Sequence, residues 1–204
     1  MVRVRNTYTT FLIPNSEFLI PMLRLRKLEP SDLPFLYQWE NDARAWADSD
    51  THNPLSQQDL RNYINSSTGD IYQDGQLRLI IDDDGETLGC IDLFDFDPRN
   101  RKAAIGIYIA DSARGKGVGK RAVQLLENYA FQHLNLRLLY AIIATKNLPC
   151  TALYQDLKYN AVARLPHWTL ESDAILWIKS WELGHRTTMV YGMGNVVKNR
   201  CKRK

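Results

Sequence analysis

The apolar positions of this chain change period several times, and each change marks an element. Leu23 and Leu25 alternate with Arg24 and Arg26 as in a half-buried strand, and Glu29-Pro30-Ser31-Asp32 then carries the signals of a helix start, predicting a helix to about Asn41. Ser56, with Asp59 three residues on as a weak form of the capping box, announces a second helix with Leu60, Tyr63 and Ile64 on one face and its end near Gly69. Leu77 to Ile81, Thr87 to Phe96 and Ala103 to Ala110 read as strands. Turns at Asp84-Gly85 and Pro98-Arg99-Asn100 join them into an antiparallel meander. After a glycine-rich stretch the period becomes helical, with Val118, Ala122, Leu125, Leu126, Tyr129 and Ala130 as the apolar face. Leu138 to Ala144 is a buried strand, Asn147 opens a short helix to about Leu157 with Pro149 in its first turn, and Val162 to Leu170 and Ala174 to Ile178 complete the sheet. Residues 1–21 show no sustained period and contain Pro14 and Pro21, so they are expected to be a leader outside the core. Residues 22–183 form one domain, and residues 184–204 a basic tail.

Composition narrows the class of molecule. With 204 residues, 45% of them hydrophobic and 24% charged, the chain can bury a core and is not a disordered segment. No apolar run approaches the ~20 residues of a membrane span, and Pro14, Asn15 and Glu17 interrupt the one N-terminal stretch that resembles a signal peptide. Three widely spaced cysteines, without a CxxC pair and with only four histidines, argue against structural zinc and for a reducing, cytoplasmic setting. Charge is unevenly spread: residues 29–97 hold 16 acidic and 3 basic side chains, residues 98–183 hold 6 acidic and 12 basic ones, and residues 184–204 hold no acid. Local fields of this kind sort ligands by sign. The run from Lys198 to Lys204 resembles a weak phosphate-binding arm, but the basic patch with interleaved aromatics of a nucleic-acid reader is missing, so no nucleic-acid partner is expected.

The segment Ala113-Arg114-Gly115-Lys116-Gly117-Val118-Gly119-Lys120 lies between a strand and a helix, where unpaired N–H groups and the positive end of the helix dipole favour an anion. An ordinary glycine turn at a basic helix start would carry the same residues. The spacing rejects a Walker A loop, since Gly119-Lys120 is followed by Arg121 rather than Ser or Thr, and it rejects the dinucleotide fingerprint, since the segment reads GxGxG after a hairpin.

Arg114-x-x-Gly117-x-Gly119 resembles the (Gln/Arg)xxGx(Gly/Ala) acyl-CoA loop of the GNAT superfamily of N-acetyltransferases. The order of elements from Leu23 to Trp181 is also similar, and Trp39-Glu40-Asn41-Asp42, Asn135-Leu136-Arg137 and Leu153-Tyr154 are similar to stretches of its spermidine and ribosomal-protein acetylating branch. The resemblance implies an α+β fold: a mixed, mostly antiparallel central sheet with helices on both faces. It implies acetyl-CoA as co-substrate, with the pyrophosphate held by Arg114, Gly115, Lys116, Gly117, Val118, Gly119 and Lys120. The pantetheine arm would lie along Ile107, Tyr108 and Ile109, in a notch between two parallel strands, and Asn147 would touch the arm as well as cap its helix.

Acetyl transfer needs an acid for the departing thiolate and a base for the amine. The resemblance makes Tyr154 the acid, although a core tyrosine between Leu153 and Leu157 would look alike. For the base, some relatives carry a glutamate where this chain has Ala104, which cannot take a proton. Asp92 is the substitute, with Glu40 next. A second departure is Lys158-Tyr159, where relatives end the helix with Gly-Phe. Glu40, Asp92 and Asp95, with Asp48, Asp50 and Asp97 nearby, would face a cationic amine, although a solvated acidic surface would have the same composition. The expected activity is acetyl transfer to a polyamine or other small cationic amine, without metal. The alternatives are the N-terminal α-amine of a protein and a CoA-binding relative without turnover. The sequence leaves a homo-oligomer open.

Overall fold

The computed structural model describes residues 23–42, 53–169 and 171–181. Within these residues the expected order appears: β1 (Leu23–Lys27), a 3-10 turn (Pro30–Asp32), α1 (Leu33–Glu40), α2 (Gln57–Ser66), α3 (Ile71–Asp74), β2 (Leu77–Asp83), β3 (Glu86–Asp97), β4 (Lys102–Ile109), α4 (Val118–Asn128), β5 (Leu138–Ala144), α5 (Leu148–Asp156), β6 (Asn160–Leu165) and β7 (Ala174–Ser180). The sheet order is β1-β2-β3-β4-β5-β7-β6, antiparallel throughout except for the β4–β5 pair. The leader, the connection holding Asp48 and Asp50, and the basic tail lie outside the described residues.

Local chemistry accounts for the element ends. Ser56 and Asp59 close a full capping box on α2, and Asn147 caps α5 by accepting from the Cys150 N–H at 3.1 Å. Asp84 and Gly85 both take positive φ in the β2–β3 turn. Strand alternation sends one set of residues to each face. Leu79, Ile81, Ile91, Leu93 and Ile105 pack on α4 and α5, while Ile80 and Cys90 meet Leu36, Trp39, Leu60 and Ile64 of α1 and α2. Helices therefore cover both faces, as expected.

Three expectations shift. Leu125 is exposed, because Val123 and Phe131 take the buried positions and the helix continues into a π-helical turn at Tyr129–His133 that rotates its face. The strand expected at Val162 to Leu170 instead runs Asn160–Leu165, ahead of a turn in which His167 has positive φ. Beyond the α2 end at Ser66, the short α3 is capped by Asp70 and stopped by Gly75.

Candidate active site

β4 and β5 pair only through Lys102–Ala104 against Leu138–Tyr140. From Ile105 onward the two parallel strands part, which leaves a notch with the β5-facing backbone edge of Ile105 to Ile109 outside the ladder. Strand alternation puts Ile107 and Ile109 on the α4–α5 face and Tyr108 on the α1 face, where its ring packs on Trp39 at 5.3 Å. A Cβ added to Gly119 would meet Leu153, Ile109 and Ile107 at 3.5–3.9 Å, so α4, α5 and the half of β4 beyond its pairing with β5 converge here.

The glycine loop joins β4 to α4 at this point. Gly115 and Gly117 have φ of 73° and 77°, a left-handed backbone that glycine adopts without Cβ strain, and a Cβ at either position would meet nothing within 4 Å. Conformation, not crowding, requires them. Around the loop, turn and cap bonds start from the backbone N–H groups of Ala113, Arg114 and Arg121, on either side of Gly115 to Lys120. Arg114 folds back, donating to the Ile109 carbonyl at 2.9 Å, pairing with Asp111 at 2.8 Å and lying over the Tyr108 ring. Lys120 pairs with Asp156 of α5 at 2.7 Å, and this hydrogen bond holds the Asp156 carboxyl below its usual range. Lys116 is exposed, and Val118 is buried beneath the loop.

Tyr154 is 1% exposed, with its ring edge-on to Tyr159 at 4.8 Å. Burial, with smaller contributions from Cys150 and Glu127, raises its phenol well above the ordinary value, so it is protonated at neutral pH. Lys158 takes the left-handed cap at φ 65°, where relatives were expected to carry glycine.

On the α1 face the structure brings Glu40 and Asp92 together around a residue that sequence reasoning counted only as one of three bases in the acidic half. Arg78 makes a two-pronged bond to Asp92 (Nε–Oδ1 and Nη2–Oδ2, both 2.8 Å) and a third bond to Glu40, with Tyr63 over its plane at 5.7 Å. Burial opposes the charge on Arg78, but Asp92 outweighs it and keeps the guanidinium firmly protonated. The one legible signal was alternation, since Arg78 sits between Leu77 and Leu79 and must face the opposite side. Asp92 is opposite Gly106, whose missing side chain leaves room for Asp92 and Phe94. Asp95 stands apart in a bulge with φ 47°, accepting from the Tyr140 hydroxyl at 3.2 Å. Partial burial and Asp95 push Tyr140 up to about 12. Ala104 is buried against Phe94, so no carboxylate occupies that position. A cavity of about 600 Å³ opens beyond Trp39 and Tyr108, lined also by Phe35, Asp42, Glu86 and Asp111. Among the described residues, no cluster of metal-ligating side chains occurs, and no helix is long and apolar enough to cross a membrane.

Comparison with known proteins agrees with this fold. Residues 22–160 match the family model described as an acetyltransferase (GNAT) domain. The chain is 29% identical to spermidine N(1)-acetyltransferase of Escherichia coli (strain K12) over 148 residues, which cover 71% of this chain and 76% of that one. It is 27% identical to the Vibrio cholerae enzyme of the same name over 135 residues, 66% and 76% of the two chains. Among solved structures, spermidine N-acetyltransferase from Vibrio cholerae in complex with CoA and spermine superposes with a TM-score of 0.71 at 23% identity, covering 78% of this chain and 95% of that one. The chain thus belongs to the GNAT family and is an N-acetyltransferase.

Proposed function

We propose that this N-acetyltransferase moves the acetyl group of acetyl-CoA onto a primary amine of a polyamine or other small cationic amine. What supports the reading is a glycine loop with left-handed backbone at the start of α4, beside a β4 edge that parts from β5, with a buried phenol on α5, the helix whose Leu153 also closes on Gly119. The N–H groups from Gly115 to Lys120 suit a diphosphate, and the β4 edge at Ile107, Tyr108 and Ile109 suits the amide-bearing pantetheine arm. Asn147, the cap of α5, is assigned a further contact to that arm. In the transfer, the amine nitrogen bonds to the thioester carbon as the C–S bond breaks. Tyr154 gives its proton to the sulfur, and Asp92 takes the proton from nitrogen. Both Asp92 oxygens accept from Arg78 yet keep further lone pairs, so the carboxylate can receive that proton directly or through water.

The acceptor class rests on Glu40, Asp92 and Asp95 and on the similarity to enzymes named for spermidine. Arg78 offsets part of that charge, which favours an amine held by several dispersed carboxylates over one held by a single deep anion. The Vibrio cholerae enzyme is dodecameric in one solved structure, and a homo-oligomer is part of this proposal. The test is a panel of amines: spermidine, spermine, putrescine, and peptides with free N-termini, each with acetyl-CoA, followed by thiol release. Fastest release with spermidine or spermine is the expected outcome. Faster release with peptides would move the acceptor to protein α-amines, and acetyl-CoA binding without release to any amine would overturn the catalytic assignments.

A further inference from the structure

α5 is nine residues long, and Tyr154 is its one buried residue. A helix this short has little stability of its own, so contacts at its ends set its orientation. The N-terminal end is fixed by Asn147. The C-terminal end lacks the usual glycine and instead receives a side chain from β7. Lys179 donates to the Leu157 carbonyl at 3.0 Å, a cation at a helix C-terminus, where the dipole favours it. The same ammonium pairs with buried Glu127 of α4 at 2.7 Å and lies 5.4 Å from the Tyr159 ring centre. Tyr159 in turn packs edge-on to Tyr154 and donates its backbone N–H to the Tyr154 carbonyl at 3.0 Å. One ammonium therefore joins α4, β7 and the end of α5 directly behind the residue assigned as the acid.

We propose that Lys179, held by Glu127 and bearing on Tyr159, is the positioning residue that aims Tyr154 at the thioester sulfur. This rests on the acid role given to Tyr154 above. Each of the three residues has a distinct part: the ammonium closes the helix end, Glu127 holds the ammonium, and the Tyr159 ring supports the phenol. The cost is visible nearby. The Tyr159 hydroxyl lies close to Glu127, yet neither it nor Glu127 Oε1 completes a hydrogen bond, and Trp177 Nε1 is also buried without a partner. Polar atoms left in that condition are expected where a constraint other than stability fixes the residues.

The test separates aim from stability. Removing Lys179 alone would strand the buried Glu127 charge and risk unfolding, so the main variant is the double exchange Glu127→Leu with Lys179→Met, which leaves no unpaired charge. The expected result is a thermal midpoint at or above wild type, an acetyl-CoA KM within about twofold, and a kcat lower by about tenfold or more with the best amine of the panel. Lys179→Arg keeps the charge and reach and should recover most of kcat. Tyr159→Leu, which removes the ring without touching a charge, should show the same split and serves if the double variant does not fold. A folded double variant with kcat within about twofold of wild type, or kcat and KM changing together, overturns the inference. If Tyr154→Phe also keeps full kcat, the acid role has failed with it; if Tyr154→Phe is slow while the double variant is not, the positioning role alone is wrong.

Discussion

At the scale of single residues, Tyr154, Lys158 and Tyr159 hold different kinds of information. Tyr154→Phe should lower kcat by about a hundredfold, the low end of general-acid effects, and calorimetry should find acetyl-CoA affinity unchanged. Lys158 carries backbone strain at φ 65°, and Lys158→Gly should raise unfolding free energy by about 1 kcal/mol in urea melts. Tyr159→Phe removes a buried hydroxyl that completes no hydrogen bond, so stability should stay level or rise by up to ~1 kcal/mol, with kcat kept because the ring remains. The glycines of the loop were legible because the need for them follows from type and spacing, whereas Tyr154 was singled out only by the family resemblance. Arg78, Glu127 and Lys179 were not, since each matters through a partner 14 to 52 positions away, a distance no local period encodes.

Among elements, the clamp at the β1 edge shows how charge and fold are linked. Arg24 and Arg26, one face of β1, reach Asp82 of β2 at 2.8 and 3.1 Å, and Arg26 also grips Asp32 of the 3-10 turn at 2.7 and 2.8 Å. Burial works against ionising Asp82, but bonds from Arg24, Gly85 and Arg26 outweigh it and hold the carboxyl below the usual range. A depressed carboxyl stabilises the fold fully above the unfolded value of ~3.9 and loses that contribution as pH falls through its folded value. Denaturant midpoints should therefore drop below about pH 4. Asp82→Asn should flatten that drop and cost about 1 kcal/mol at pH 7, because Arg24 is largely exposed and Arg26 keeps Asp32. The alternation of β1 was visible in the sequence, whereas the partner of its arginines depends on the β1–β2 register. Elements with strong caps or turns were placed closely. β6 was misplaced because all of its residues but Leu165 are exposed, so it has no buried face to give a period of two.

For the molecule as a whole, acidic side chains gather on α1, β2 and β3 and basic ones on the glycine loop and the start of α4. In the proposed reaction the first set faces the amine and the second the coenzyme. Surface fields of this kind are screened within a Debye length of ~10 Å at 0.1 M salt. Raising ionic strength from about 0.02 to 0.5 M should therefore raise the KM for spermidine several-fold more than that for a monoamine. Equal rises would remove the acidic side from acceptor selection.

The proposed transfer depends most on main-chain donors of the Arg114–Lys120 loop gripping a diphosphate. Calorimetric titration with acetyl-CoA and with S-acetylpantetheine, which has the same thioester arm but neither diphosphate nor adenosine, tests that grip, and S-acetyl-4′-phosphopantetheine, which restores one phosphate without the adenosine, separates the phosphate from the nucleoside. Two charge-assisted bonds correspond to roughly a hundredfold in affinity, so acetyl-CoA should bind at least about that much more tightly. Equal affinity for acetyl-CoA and S-acetylpantetheine, or no heat with acetyl-CoA, would contradict the account.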